Sequence, residues 1–227
     1  MRPLIWLRRV PVLGTLVWLA NCYVYGGDPR AATELAPIRL WFKAFFWNLV
    51  ASVFLVILTL PDLSMSLWQH FLTGAPIMQK LTGGGASPGT TVISIFPSTL
   101  GLGIGIYALL FALDTSFIRQ MHRKLEQARK DGKRKHGSVL ILNSDIAFPL
   151  SVLVVVLAVG VLSQAYPNTL WMQVVSWLGF WYALVLVLEI IALLFSLIDN
   201  SILEKADDTA SKNIEEHSSQ GTSPPEA

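Results

Sequence analysis

Long apolar runs alternate with shorter polar segments along this chain of 227 residues. Four of the runs are long enough to cross about 30 Å of hydrocarbon at about 1.5 Å of rise per helical residue. They are Trp41–Leu60, Val92–Leu113, Ile146–Ser163 and Trp171–Ile198. None of them alternates apolar with polar residues as a barrel strand does, and a helix pairs every backbone amide within its own segment. The pattern therefore predicts an all-α, polytopic membrane protein with four transmembrane helices.

Charged residues are distributed unevenly between these runs. Only 14% of all residues are charged and 53% are apolar, whereas about a quarter of the residues in soluble domains are charged. The second connecting loop, residues 115–145, is strongly basic, but Pro61–Thr91 contains a single cation and Gln164–Leu170 contains no charge. Because cytoplasmic loops retain Lys and Arg, we predict that both termini and the basic loop face the cytoplasm of a bacterial inner membrane.

A fifth apolar run, Val10–Gly26, is close to the shortest length that can cross a bilayer. Pro11, Gly14 and Asn21 interrupt it. A true span would place the preceding arginines outside, and a cleaved signal peptide would place the basic loop there, so both conflict with the charge distribution. We therefore predict an extra N-terminal helix that is interfacial or re-entrant. The true span is the alternative.

The remaining segments complete the predicted domain organisation. Residues 1–40 form a cytoplasmic or interfacial N-terminal segment, and residues 41–198 form the membrane domain. The outer loop begins with the aromatic and apolar stretch Leu63–Leu72, which predicts a short helix on the outer interface. Residues 199–227 are acidic and rich in polar residues, and we predict that they form a disordered cytoplasmic tail.

Small residues recur on one face of the second predicted span. Gly101, Gly105, Ala108 and Ala112 fall at positions i, i+4, i+7 and i+11. Small side chains at this spacing let the backbone of another helix approach closely. The other helix can be a span of the same chain or a span of a second copy. The spacing fits both, so a homo-oligomer is one of two expectations.

Ionisable residues of the predicted spans lie near one boundary of the membrane. Lys43 opens the first span, Asp114 follows the second, and Glu189 lies about 27 Å along the helix that begins at Trp171. Leaving a carboxylate unpaired in hydrocarbon costs at least a few kcal/mol. We therefore predict an ion pair between Lys43 and Glu189 at the inner boundary, with Asp114 at the same level. Deeper in the spans there is no Asp, Glu, Lys, Arg or His, which disfavours proton-coupled transport.

The basic loop carries the strongest charge of the chain. Its cations are Arg119, Arg123, Lys124, Arg129, Lys130, Lys133, Arg134 and Lys135. Apolar residues between them recur near helical spacing, which predicts an amphipathic extension of the second span. Such a surface can bind anionic lipid headgroups, an acidic cytoplasmic protein or the acidic tail of this chain. Direct nucleic-acid binding is disfavoured, because the aromatic interleaving that stacks on bases is missing.

No catalytic, cofactor-binding or metal-binding motif occurs in the sequence, so we expect no cofactor. We expect a non-enzymatic integral membrane subunit that anchors or senses at the membrane and couples to a cytoplasmic partner. Subunits of bacterial defence, secretion and conjugation systems have this general architecture. One alternative is an oligomeric channel that is lined by Asn48 and Ser52 or closed by the small face of the second span. The other is a lipid-modifying enzyme that uses Glu189 or Asp145.

Overall fold

The computed structural model describes residues 10–26, 28–74, 76, 87–112 and 140–220. Of residues 29, 110–112, 140–142, 196–198 and 200–220 it describes the backbone alone. Asp114 and all eight cations of the basic loop lie outside the described residues.

Within these ranges every regular element is helical. The helices are α1 (Leu13–Tyr25), α2 (Ile38–Thr59), α3 (Pro61–Thr73), α4 (Pro88–Ala112), α5 (Leu140–Ala165) and α6 (Leu170–Gln220), and a 3₁₀ turn, Pro29–Ala32, follows α1. Segments of α2, α4, α5 and α6 are long and apolar enough to cross a membrane, and α1 is a shorter apolar helix. The predicted fold class, four spans and an additional N-terminal helix, is therefore confirmed.

Proline residues mark the starts of three helices. Pro37 caps α2, Pro61 is the first residue of α3, and Pro88 is the first residue of α4. Proline suits the start of a helix because its fixed φ matches helical geometry and because an N–H in the first turn would have no partner within the helix. The spans were predicted to begin later, at Trp41 and Val92, because polar residues in the first turns weaken the apolar signal.

The packed core lies between α4, α5 and the first part of α6. Its fully and nearly fully buried members are Val92, Phe96, Leu153, Val156, Phe180 and Ala183. The rings of Phe96 and Phe180 lie 5.5 Å apart, and Trp177 meets Phe180 edge to face. Because lipid is as apolar as these side chains, close packing rather than removal from water holds the three helices together.

The C-terminal part of α2 is joined to α6 by a hydrogen bond. The indole N–H of Trp181 donates to the hydroxyl of Thr59 over 2.8 Å, and that hydroxyl donates to the carbonyl oxygen of Leu55 over 2.7 Å. Both polar groups therefore have partners within the chain.

Helix α1 and the chain that follows it form a compact N-terminal clasp, which we define as Asn21 and residues 28–36. The amide nitrogen of Asn21 donates to the carbonyl oxygens of Ala31 and Glu34 over 3.0 and 2.9 Å, and its oxygen accepts from the N–H of Ala36 over 2.8 Å. The Asn21 side chain is fully buried. One side chain thus satisfies three backbone groups that no helix supplies with partners.

Helix α1 rests on α2 and α5 through aromatic rings, and the clasp contacts the start of α2. Tyr23 stacks on Phe148 of α5 with a centroid distance of 4.5 Å and on Phe45 of α2 with 5.8 Å. The indole of Trp41 donates to the carbonyl oxygen of Ala36 over 3.1 Å. With 13 residues, α1 is about 20 Å long, which is shorter than a bilayer core. The interfacial or re-entrant position of α1 stays a prediction, with a true span as the alternative.

The chain divides into two compact units, Met1–Val187 and Leu188–Ala227. In the second unit the structure differs from the predicted disordered tail, because α6 continues as a helix to Gln220. The sequence from Leu188 to Gln220 contains no proline or glycine, and Gly221 is the first such residue. A helix that is already formed extends at little cost, since the unfavourable nucleation step is past. The acidic composition indicated exposure to solvent, but it did not exclude helix.

Candidate functional site

One face of α4 packs within the chain at very short range. A Cβ atom added at Gly89 would lie 2.6 Å from the carbonyl oxygen of Gly160 and 2.9 Å from Cγ of Gln164. A Cβ atom at Gly103 would collide with the side chain of Leu150. Glycine is therefore required at position 89, because real Cβ contacts are longer and a backbone oxygen cannot move aside, whereas at position 103 an added Cβ atom would displace the end of the Leu150 side chain. This face fixes α4 against α5.

The opposite face of α4 is bare. Gly101, Gly105 and Ala108 are exposed, and a Cβ atom added at either glycine would meet no described atom within 4 Å. The side chain of Ala112 is not among those described. Of the two partners that the spacing allowed, the structure shows no span of this chain on the face within the described residues. A second copy stays a prediction.

The bare face is longer than the sequence analysis predicted. Ser94, Pro97 and Ser98 are exposed and precede Gly101 on the same side of the helix. The signal was present, because Ser94 and Ser98 continue the i, i+4, i+7 spacing toward the start of α4. We call the exposed residues Ser94, Pro97, Ser98, Gly101, Gly105 and Ala108 the small face.

The structure describes two of the three predicted boundary charges. Lys43 is exposed on α2, and Glu189 is exposed on α6 in the second unit. Asp114 is outside the described residues, as are Arg119, Arg123, Lys124, Arg129, Lys130, Lys133, Arg134 and Lys135. The ion pair between Lys43 and Glu189 therefore stays a prediction, and so does binding by the basic loop.

Asn48 and Ser52 lie inside the chain. Ser52 is fully buried and Asn48 nearly so. The hydroxyl of Ser52 donates to the carbonyl oxygen of Asn48 over 2.5 Å, so this bond lies within α2 rather than between helices. Side chains that are closed off in this way do not line a passage between copies of the chain.

A polar contact that the sequence analysis missed joins the ends of α4 and α5 next to the basic loop. The hydroxyl of Tyr107 donates to the side-chain oxygen of Asn143 over 2.6 Å. The two residues are 36 positions apart and neutral, so neither charge nor spacing signals their contact. This bond fixes the two helix ends between which residues 113–139 run.

The clasp carries the described salt bridge, and Tyr25, at the end of α1 beside it, has the pKa shift that is resolved among the described residues. Asp28 Oδ2 lies 3.2 Å from Nε of Arg30, and its other oxygen accepts from the Arg30 N–H. Burial raises the pKa of the Tyr25 hydroxyl above its ordinary value of 10.0, the carboxylates of Glu34 and Asp28 raise this pKa further, and Arg30 lowers it. The hydroxyl therefore stays protonated at neutral pH and points at the carbonyl oxygen of Leu35.

Among the described residues, no three His, Cys, Asp or Glu side chains are grouped so that they could hold a metal ion. What the described geometry offers is an interaction surface, the small face of α4, on a helix whose other face is tightly packed. Comparisons with known protein families, with curated proteins and with solved structures give no match to this chain.

Proposed function

We propose that this protein is a non-enzymatic membrane subunit that self-associates through the small face of α4 and couples to an acidic cytoplasmic partner through the basic loop. The bare small face is the observation that carries the proposal. Helices in lipid gain nothing from leaving water, so they associate where small residues let two backbones pack closely. The face offers such a surface over Ser94 to Ala108, about 21 Å of helix.

The exposed surface of α2 provides the contrast that supports this assignment. Its exposed large side chains include Phe46, Trp47, Phe54, Ile57 and Leu58. Bulky apolar groups of this kind suit contact with lipid chains. A surface of serine, proline, glycine and alanine offers lipid far less contact area, whereas it is well shaped for a helix. The exposed large side chains of α4, Ile95, Leu102, Ile104 and Leu109, lie beside the small face. On α4 the small face therefore suits a protein partner, and the surface around it suits lipid, as the surface of α2 does.

The cytoplasmic half of the proposal is supported by charge and by the Tyr107–Asn143 bond. The loop carries eight cations, whereas the acidic residues among them are Glu126 and Asp131. The acidic stretch of the chain begins much later, at Asp199. A partner with an acidic surface would be attracted to them over roughly one Debye length, about 8 Å at physiological salt. Because the bond holds the ends of α4 and α5 together, assembly at the small face and docking at the loop act on the same pair of helices.

The channel alternative loses part of its basis in this structure. Asn48 and Ser52 are buried within one chain, which disfavours a pore lined by them. The other form of the channel hypothesis, a pore closed by the small face, is unaffected. Passive ion leak from liposomes that contain the purified protein would favour it over an anchoring subunit.

Self-association is expected to fail when the small face is filled. With Gly101→Leu and Gly105→Leu together, two isobutyl groups hold the helices apart, and we expect association to weaken at least about tenfold, or ~1.4 kcal/mol. The measurement is energy transfer between donor- and acceptor-labelled copies in liposomes at increasing lipid dilution. Ala51→Leu is the matched control, because Ala51 is an exposed small residue of α2.

Two results would contradict the proposed self-association. One is that energy transfer between wild-type copies falls, as lipid is added, along the curve calculated for copies that do not associate. The other is a doubly substituted protein that associates like wild type while its helix content is unchanged.

Partner capture is expected to depend on the basic loop. Replacing Lys133, Arg134 and Lys135 by Gln should lower the amount of co-purifying cytoplasmic protein about tenfold in mild detergent, because the attraction between opposite charges is lost. Quantitative mass spectrometry provides the measurement. The control removes the same number of cations from the N-terminal segment, Arg2, Arg8 and Arg9. Equal loss in both variants would show that total charge, not the loop, recruits the partner.

A further inference from the structure

Helix α3 begins where a membrane span ends. Leu60 is the single residue between α2 and α3, and the backbone hydrogen bonds continue through it, from Leu60 to Val56 and from Ser64 to Leu60. The Trp181–Thr59 bond lies beside this junction. Helix α3 has 13 residues, so it is about 20 Å long and too short to cross a bilayer core. Helix α3 therefore begins directly at the end of a candidate membrane span.

The helix has an apolar arc and a polar arc. The apolar arc consists of Leu63, which is buried, and Met65, Leu67, Trp68, Phe71 and Leu72, which are exposed. The polar arc consists of Asp62, Ser66, Gln69, His70 and Thr73. Phe71 is 85% exposed, an extreme value for a phenylalanine in any environment that contains water. An exposed apolar arc of this size requires a covering partner.

Polar groups near the apolar arc are already satisfied. Ser64 is the one polar residue inside the arc, and its hydroxyl donates to the carbonyl oxygen of Pro61 over 2.8 Å. The arc can therefore enter an apolar medium without stripping an unpaired hydroxyl of water.

The polar arc contains no Lys or Arg, and Asp62 and His70 are its titratable residues. Interfacial helices that are attracted to anionic lipids carry rows of cations on the polar face, each worth about 1 kcal/mol near such a surface. Helix α3 lacks this attraction. What holds it on a membrane is the insertion of large apolar side chains, which depends on gaps between lipid headgroups.

We propose that α3 lies in the lipid interface on the side opposite the basic loop and responds to lipid packing rather than to lipid charge. Lipid is the occupant that the position favours, because the exposed side chains of Phe54, Ile57 and Leu58 at the end of α2 lead directly to α3. The assignment does not depend on the small face of α4, so each can fail without the other.

The test places an environment-sensitive fluorophore on each arc of the full chain. Cys22 is the single cysteine, so Cys22→Ser provides a background for Phe71→Cys on the apolar arc and Gln69→Cys, the matched control, on the polar arc. Both proteins are reconstituted into phosphatidylcholine vesicles, with iodide as quencher on both sides and with spin-labelled lipids as quenchers at known depths. Phe71 is exposed within the chain, so the label disturbs no described packing.

We expect the label at position 71 to be quenched by interfacial spin labels and to be at least about threefold less accessible to iodide than the label at 69. This shielding should rise when saturated chains are replaced by dioleoyl chains or when vesicles are made smaller. It should not change when anionic phosphatidylserine replaces phosphatidylcholine with the same acyl chains.

Three outcomes would overturn the proposal. Equal iodide access at 71 and 69 would show that the apolar arc is in water. Shielding from iodide without quenching by spin-labelled lipid would show that protein, either a second copy or a partner, covers the arc. Shielding that follows anionic lipid instead of packing would show that charge, not insertion, controls α3.

Discussion

Replacing Gly89 by alanine is expected to destabilise the protein by about 2–3 kcal/mol, although it adds a single methyl group. The new Cβ atom would lie 2.6 Å from the carbonyl oxygen of Gly160 and 3.2 Å from the backbone nitrogen of Gln164. Neither atom belongs to a side chain that can rotate away, so α4 and α5 must separate. Separation also loosens the contact between Val92 and Gly160. That contact is equally close, because a Cβ atom added at Gly160 would lie 2.6 Å from Cγ1 of Val92. Thermal or denaturant unfolding in detergent measures the loss.

Gly101→Ala is the matched control for this experiment, since it makes the same change in the same helix. No described atom lies within 4 Å of the added Cβ, and alanine has the higher helix propensity. We therefore expect the unfolding free energy of the monomer to change by less than about 0.5 kcal/mol. Gly160→Ala should resemble Gly89→Ala, and the double substitution should cost less than their sum because both open one contact. Similar values at Gly89 and Gly101 would contradict the assigned packing.

This pair of substitutions also shows why the orientation of α4 could not be derived from the sequence. Glycine occurs on both sides of the helix, at 89 and 103 on the packed side and at 101 and 105 on the bare side. In water the buried side would be identified by its apolar residues, but in lipid both sides are apolar. The spacing of small residues predicted one face, and the structure shows Gly101, Gly105 and Ala108 exposed on it. The spacing alone did not indicate whether the same chain covers that face, and its role in helix packing stays a prediction.

The spans themselves were predictable, because hydrocarbon leaves the backbone no alternative to helix and sets a minimum length. The helix after Pro61 was predictable for a related reason, since its apolar and polar residues separate into two arcs. The helical tail was not, because an acidic composition resembles disorder unless one considers that α6 is already nucleated. The Tyr107–Asn143 and Trp181–Thr59 bonds had no signal at all, since each joins neutral residues far apart in the chain.

Asn21 is the clearest example of a residue that the sequence analysis undervalued. It was read as an interruption of an apolar run, because an amide in a short hydrophobic helix weakens the case for a span. Its partners are backbone groups 10 to 15 positions later, and backbone atoms carry no sequence signature. The structure therefore changes its role from an interruption of α1 to the centre of the N-terminal clasp.

Replacing Asn21 by leucine, which has nearly the same shape, is expected to open this clasp. The N–H of Ala36 and the carbonyl oxygens of Ala31 and Glu34 would lose their partners. Each buried and unpaired group costs about 1–3 kcal/mol. A short segment outside the helical spans can avoid that cost by detaching locally, so global unfolding is not required. We expect the amide of Ala36 to exchange its hydrogen about a hundredfold faster, which corresponds to ~2.7 kcal/mol.

Hydrogen exchange with mass spectrometry of peptides that cover residues 28–37 measures this effect, and Thr33→Val is the control. The hydroxyl of Thr33 is exposed and donates to Arg30 over 3.4 Å, so its loss should leave exchange nearly unchanged. Because Trp41 donates to the carbonyl oxygen of Ala36, an open clasp should also release the start of α2 and raise exchange there. If exchange in residues 28–37 stayed at the wild-type rate while the whole protein lost stability, Asn21 would act in the core of the membrane domain and the clasp would not exist as a separate unit.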